Sequence, residues 1–404
     1  HDVARVAGVS IKTVSNVIND YPHVRPTTRS RVLDAIAELD YRPNLSARGL
    51  RSGRTGVIGL AVPALKENYF AELADAVIRA AARRGLGVVV EQTSGERDAE
   101  LLAVSGAARP RFLDGMLFSP VSLGQDDAGA LATNIPLVLL GERIFGGPTD
   151  HVVMHNTSAA CAAVDHLIGI GRRRIAIIGA GADDDEVGSA ALRLRGYRRA
   201  LENAGIAADE SLIRRAAHWN RAVGADVVQR MLAEGVSFDA VFAMNDTLAL
   251  GALRALGAAG IRVPEDVAVI GFDNIDEAQY SVPSLSTVDT GREEIAETAV
   301  ELLLERIDEK TDPAPPRTIK PDFRIIARES TGFPSRRGSS LARRVRLQEP
   351  DRGLDDVRPQ LVILRLVTGQ MKLSNHHVHP RRSRIGKACD RRDDRCADRA
   401  PMWR

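Results

Sequence analysis

At 404 residues with 44% hydrophobic content, the chain is larger than one ordinary domain and can bury a core in each of two or three units. It holds no apolar run of about eighteen residues and no basic stretch leading into an apolar core at its N-terminus, so the reading excludes a spanning helix and a signal peptide and expects a cytoplasmic protein. The net charge of +2 hides an uneven spread of Lys and Arg against Asp and Glu: nine against five in residues 1–54, 28 against 40 in residues 55–334, and 18 against eight in residues 335–404.

A small basic module ahead of a large acidic body suits a DNA reader carrying a separate sensor, because phosphate attraction has to be local to set a reading helix in register. The three cysteines, Cys161, Cys389 and Cys396, are too few and too scattered for a disulfide framework and are expected as free thiols.

In chain order, Val3, Ala4, Val6 and Ala7 form one short helical face. Gly8-Val9 breaks it, and Ser10 can cap a second helix through Val14, Val17 and Ile18. Two short helices about a glycine turn make a helix-turn-helix. With those three residues inward, Ile11, Lys12, Thr13, Ser15 and Asn16 face outward near the helix N-terminus, where a major groove would meet them. Lys12 and Asn16 suit base edges, Ile11 suits a thymine methyl, and Thr13 and Ser15 suit phosphate oxygens. A third helix is expected from Pro26 to about Leu39, with Val32, Ala35, Ile36 and Leu39 packed on the first two. On pattern alone, a three-helix bundle without a ligand remains open.

The string Asp2-Val3-Ala4, Ala7-Gly8-Val9-Ser10, Thr13-Val14-Ser15, Val17-Ile18-Asn19, then Ala37-Glu38-Leu39, Tyr41 and Pro43-Asn44, resembles the signature of the lactose/galactose repressor (LacI/GalR) family. The resemblance implies a helix-turn-helix over residues 1–43, with positions 10 to 13, 15 and 16 on DNA. It also implies a hinge helix and linker over residues 44–55, in which Asn44, Ala47, Arg48 and Leu50 meet the operator and Leu50 wedges into the minor groove. Two residues depart from the pattern: Gly49 lies inside the expected hinge helix, and Arg25 stands where a Ser or Asp cap is usual. Glycine costs about 1 kcal/mol relative to alanine within a helix, so the hinge is expected to be unformed off DNA. Arg48, Arg51 and Arg54 offer phosphate contacts or are solvated linker residues.

From Gly56, apolar runs at Val57 to Val62, Val88 to Val90, Met116 to Phe118 and Leu137 to Leu140 alternate with helical stretches such as Phe70 to Arg84. A second series follows at Ile175 to Ile178, helix 189–204, Ala240 to Ala243, helix 246–259 and Val267 to Phe272. Such alternation means βαβ units in parallel sheets, here in two lobes with a cleft between them. The full fold expectation is therefore an all-α helix-turn-helix followed by a two-lobed α/β body of the type I periplasmic-binding-protein kind. The first lobe takes residues 56–157 and 291–317, and the second takes 158–290 and 318–334.

Ligands in open α/β sheets sit outside the carboxyl ends of strands, which draws attention to Asn245-Asp246, Asp273-Asn274 and Arg193. Each of these could also be a capping or loop residue, and for an isolated Asp after a strand capping is the commoner role. The resemblance implies effector contacts at Arg193, Asn245, Asp246 and Asp273 and an aromatic platform at Trp219, which could also be core filler; Tyr69 and Phe70, just past the first strand, are expected to line the opposite wall. Where relatives carry aspartate, the segment Val152-Val153-Met154-His155-Asn156 has none.

After Gly332 the pattern stops, and residues 335–404 read as a basic tail without structure. The His and Cys spacing there fits no compact zinc site, so no metal or cofactor is expected. The segment Gly179-Ala180-Gly181 lacks the third glycine of a dinucleotide loop and is followed by three aspartates, and no GxxxxGK[ST] or GxSxG occurs, which argues against an enzyme. The expectation is a homodimeric regulator, of repressor type, on a palindromic DNA operator. Its effector would be a sugar, with nucleosides or purines next, and a solute-binding protein is the rival.

Overall fold

A computed structural model describes residues 1–18, 21–40, 54–105, 113–181, 187–309 and 314–332 in full, together with the backbone of residues 362–366. Three short helices come first: α1 (Asp2–Val6), α2 (Ile11–Ile18) and α3 (Pro26–Glu38). They bury one apolar cluster, Val3, Ala4, Ala7, Val14, Val17, Val32 and Ala35. Gly8 takes φ +63° in the turn after α1, a conformation that costs glycine nothing. Ser10 caps α2 by accepting the Thr13 N–H at 3.1 Å. Arg25 precedes Pro26 without any side-chain cap. Leu39, expected in the bundle core, ends up 38% exposed because α3 stops one residue earlier.

The first lobe is a sheet of strands β1 (Val57–Val62), β2 (Gly87–Gln92), β3 (Gly115–Phe118), β4 (Leu137–Leu140), β5 (Asp150–Val152) and β11 (Thr318–Ile319), all parallel. Alternation along β1 decides its layering. Ile58, Leu60 and Val62 pack against α4 (Asn68–Arg83) and α10 (Arg292–Asp308), whereas Ala61 joins the core beneath α5 (Arg97–Ser105). The second lobe stacks β6 (Ile175–Ala180), β7 (Ile213–Arg215), β8 (Ala240–Ala243) and β9 (Ala268–Ile270) in the order β7-β6-β8-β9. Four helices cover that sheet: α6 (Asn156–Gly169), α7 (Ser189–Asn203), α8 (Arg221–Ala233) and α9 (Asp246–Ala258). A two-stranded antiparallel ribbon, β10 (Thr287–Asp289) with β12 (Arg324–Ile326), adjoins it.

In both sheets the chain reverses its direction of winding, beside β1 in one and beside β6 in the other. Such switch points open a crevice at the carboxyl ends of the strands. The chain passes between lobes three times, at residues 153–155, 290–291 and 320–323.

The boundary at the third passage differs from the expected one. Residues 318–319, assigned to the second lobe, pair with β5 of the first. Two charge pairs hold them there: Arg306 and Arg317 both clamp the fully buried Asp150 on β5, at 2.8 and 2.9 Å. Burial pushes the Asp150 carboxyl up, but the two guanidiniums outweigh it and hold it down at about 2.

A second difference concerns the C-terminal segment. Residues 362–366, in the stretch expected to lack structure, form β13, a parallel strand beside β2. An apolar run there meets the otherwise open edge of β2, whose free backbone groups accept a further strand. Among the described residues no helix is long and apolar enough to cross a membrane.

Candidate functional site

The two lobes enclose a cleft of about 640 Å³. Of the effector residues expected from sequence, Tyr69, Phe70, Arg193, Trp219, Asn245 and Asp273 all line it. Elements from both lobes bring them there. Tyr69 and Phe70 open α4, just after β1, with their rings edge to face at a centroid distance of 5.2 Å. Arg193 lies in the second turn of α7, after β6. Trp219 ends the loop after β7, and Asn245 and Asp273 follow β8 and β9.

Arg193 is the central cation. It is buried, its Nε donates to the Asn156 side-chain oxygen at 2.7 Å, and its Nη1 donates to the Met244 carbonyl. The guanidinium lies 3.6 Å over the Phe272 ring and 5.3 Å from the Trp219 ring. Its Nη2 stands 3.7 Å from the Asp273 carboxylate. Burial pushes the Asp273 carboxyl up to about 7; Arg193 and Arg292 oppose that rise, and Glu72 and Glu142 add to it. Asp273 has φ +107°, and the Asp273 carbonyl receives the Arg292 guanidinium at 3.1 Å. Burial likewise pushes the Tyr69 phenol up, with help from Asp273 and Glu142.

Trp219 is held as a platform. Its indole N–H donates to the Gly179 carbonyl at 2.9 Å, and its own carbonyl accepts from Thr247 at 2.8 Å. Asn245 caps α9 by accepting the Leu248 N–H at 2.8 Å, so the capping role weighed from sequence applies to it even though it also lines the cleft.

Asp246 is placed differently from its expected position. It does not line the cleft. Fully buried behind the wall, it accepts Thr287 Oγ1 at 2.6 Å and the Ile275 N–H at 2.9 Å, so it orders the loop that carries Asp273. Burial first, and the neighbouring Asp273 second, push its carboxyl well above the usual range.

Sequence reasoning passed over Glu142, Ser189 and Gln92, which also line the cleft. Glu142 follows β4, so the strand-end rule that found Asp273 reaches it as well. His155 stands at the N-terminus of α6 without a side-chain capping bond and packs against Phe323 with ring centroids 5.7 Å apart.

On the other module, Ile11 is 51% exposed and Lys12 is exposed, while Thr13, Ser15 and Asn16 are half-buried around the same helix start. The hydroxyls of Ser10 and Thr13 are 2.9 Å apart and occupied with each other. The expected contacts Asn44, Ala47, Arg48 and Leu50 lie outside the described residues. Arg54, weighed as a phosphate contact, donates to the Ile307 carbonyl at 2.8 Å and pairs with Asp308 at the end of α10.

Comparison with known proteins settles the affiliation. Residues 1–44 match bacterial regulatory proteins of the lacI family, and residues 164–331 match a periplasmic binding protein-like domain. The HTH-type transcriptional repressor PurR of Pasteurella multocida is 34% identical over 313 residues, spanning 77% of this chain and 92% of that one. The chain belongs to the lacI family of bacterial regulatory proteins. This LacI-family member is a DNA-binding transcriptional regulator with a periplasmic-binding-protein-like body.

Solved structures agree. A LacI-family transcriptional regulator from Sanguibacter keddieii is 50% identical, with a TM-score of 0.65, covering 69% of this chain and 100% of that one. The regulator CelR in complex with cellobiose is 32% identical, with a TM-score of 0.60 and coverage of 81% and 98%. The lac repressor dimer bound to operator and the anti-inducer ONPF is 29% identical, with a TM-score of 0.67 and coverage of 82% and 98%.

Proposed function

We propose that this LacI-family regulator is a repressor that binds a palindromic operator as a homodimer and changes its operator affinity when a small neutral ligand, of the sugar class, enters the cleft between its lobes. The cleft carries this reading: one buried guanidinium, Arg193, faces the Asp273 carboxylate beside the Trp219 ring, with a second aromatic pair at Tyr69 and Phe70. Fork donors and carboxylate acceptors next to flat apolar rings match a ring that carries vicinal hydroxyls. Relatives support the ligand class, since CelR is solved with cellobiose and the lac repressor with ONPF. A nucleoside is the alternative the same groups would accept.

In this reading Ile11, Lys12 and Asn16 meet bases, Ser10, Thr13 and Ser15 meet the backbone, and Asn44, Ala47, Arg48 and Leu50 form the hinge contacts. A wedge residue and a single reading helix serve one half-site each, so two-fold symmetry follows from a palindrome, as for the lac repressor dimer. In this reading the protein acts in the bacterial cytoplasm as a regulator and not as an enzyme, in line with relatives such as PurR. Ligand binding shifts the lobes and the operator equilibrium together, and the coupling is reciprocal.

The test is selection of random duplexes on the purified protein at fixed salt, repeated with a panel of sugars and nucleosides. A palindrome whose retention responds to one compound is the expected result. Sequence-blind, purely salt-dependent retention overturns the reading.

A further inference from the structure

Glu142 is 5% exposed and lines the cleft. Its Oε1 accepts the Met154 backbone N–H at 2.9 Å, so the side chain is held by the first crossing between the lobes. Its Oε2 accepts the Ser189 hydroxyl at 2.9 Å, and Ser189 opens α7 of the second lobe. One hydrogen bond therefore spans the cleft, a single helical turn before Arg193.

This bond decides what chemistry remains for a ligand. The Ser189 proton is given to Glu142, so the lone pairs left on Glu142 Oε2 and Ser189 Oγ are acceptors only. A group that docks between them has to donate. A hydroxyl or an amino group does so, whereas a carboxylate or phosphate brings only acceptors and meets a carboxylate head on. Arg193 lines the same cleft, and its Nη2 has contacts at Met154 Sδ, 3.9 Å, and at the Asp273 carboxylate, 3.7 Å.

We infer that Glu142, bridged to Ser189, is the specificity-determining acceptor of the cleft, selecting an effector that presents an uncharged hydroxyl and rejecting acidic or phosphorylated counterparts. The inference rests on the effector reading of the cleft, and it names which carboxylate discriminates.

The experiment is calorimetric titration of the full chain and of Glu142→Gln and Ser189→Ala with cellobiose, D-ribose and adenosine, set against D-glucuronate and ribose 5-phosphate. The glutamine keeps an oxygen for the Met154 N–H and turns the other acceptor into a donor. The expected result is that the wild type binds a neutral compound and not its acidic counterparts, and that Glu142→Gln weakens it about tenfold or more. The same substitution should narrow or invert the preference over the acids, which loss of packing alone does not do. Ser189→Ala, which keeps the carboxylate, should retain the preference while weakening every ligand by a few fold.

Equal affinity of wild type and Glu142→Gln for a neutral ligand overturns the inference and leaves the effector reading standing. Wild-type preference for an acid or a phosphate also overturns it. Binding of none of the five compounds counts against the effector reading itself, and the inference falls with it. Should Glu142→Gln fail to fold, Ser189→Ala decides, because a reversed preference there overturns the assignment.

Discussion

Arg54 is bonded to Ile307: the guanidinium of this linker residue donates to a carbonyl in the final turn of α10 at 2.8 Å and pairs with Asp308 beside it. A cation at a helix C-terminus meets the negative end of the helix dipole and carbonyls that lack an intrahelical partner. The opposite end of α10 faces the cleft, where Arg292 meets Glu72 at 2.6 Å and the Asp273 carbonyl at 3.1 Å. The linker is further pinned by Asp114, which accepts the N–H groups of Thr55 and Gly56 at 2.7 Å each. One helix thus touches both the ligand cleft and the start of the body.

Arg54→Ala is therefore expected to leave the salt dependence of operator binding unchanged, because the side chain is committed to α10. A phosphate contact would lower the slope of log K against log salt by about one. Filter binding over a salt series distinguishes the two, and a drop of that size would return Arg54 to the DNA-facing role.

Lys12→Ala and Asn16→Ala remove groups on the outward side of α2 while sparing its core residues Val14 and Val17. Each is expected to cut the preference for the selected palindrome over random duplex by about 10- to 100-fold. Circular dichroism and the melting temperature should stay at wild-type values. Undiminished preference in both variants would remove α2 from the reading surface.

Helices α8 and α9 touch through glycine. A Cβ at Gly251 would overlap the Arg221 carbonyl oxygen, and one at Gly224 would overlap that of Leu248. Gly251→Ala or Gly224→Ala should cost about 3 kcal/mol, the range for overpacking a close contact. Gly257, on the same α9 helix, has nothing within 4 Å of its would-be Cβ. Gly257→Ala should raise stability by about 0.5–1 kcal/mol through helix propensity. Urea unfolding of the three variants measures the contrast, and equal effects would contradict the close approach.

Asp273 gives a pH signature. Its carboxyl sits at about 7 in the fold against 3.8 for the model carboxyl, so the fold favours the protonated form. The stability this contributes is complete below about pH 4 and is lost as pH rises through about 7. Asp273→Asn, which cannot ionise, should gain on the wild type from pH 5 to pH 8, on the order of a few kcal/mol in all. A difference in urea midpoint that stays flat over this range would place the carboxyl back near its ordinary value.

Much of this was legible from the chain itself. Apolar spacing in residues 1–40 located three helices, because Val14 and Val17 must share one face to bury at all. Alternation of short apolar runs with helical stretches located the parallel sheets, and the strand-end rule reached Arg193, Asn245 and Asp273, all of which line the cleft. Each of these follows from the period of its own element, a property carried by neighbouring residues.

Tertiary structure decided what depends on distant partners. Asp246 and Asp273 both follow strands, yet only packing against Thr287 and Ile275 turns Asp246 inward. Glu142 becomes a spanning group only when Ser189, 47 residues away, is folded against it. Residues 318–319 join the first lobe because Asp150 holds Arg317, a pairing separated by 167 residues. Local pattern assigns a residue to a helix or a strand. Hydrogen bonding and charge between elements far apart in sequence decide whether its polar atoms face a ligand or stay within the fold.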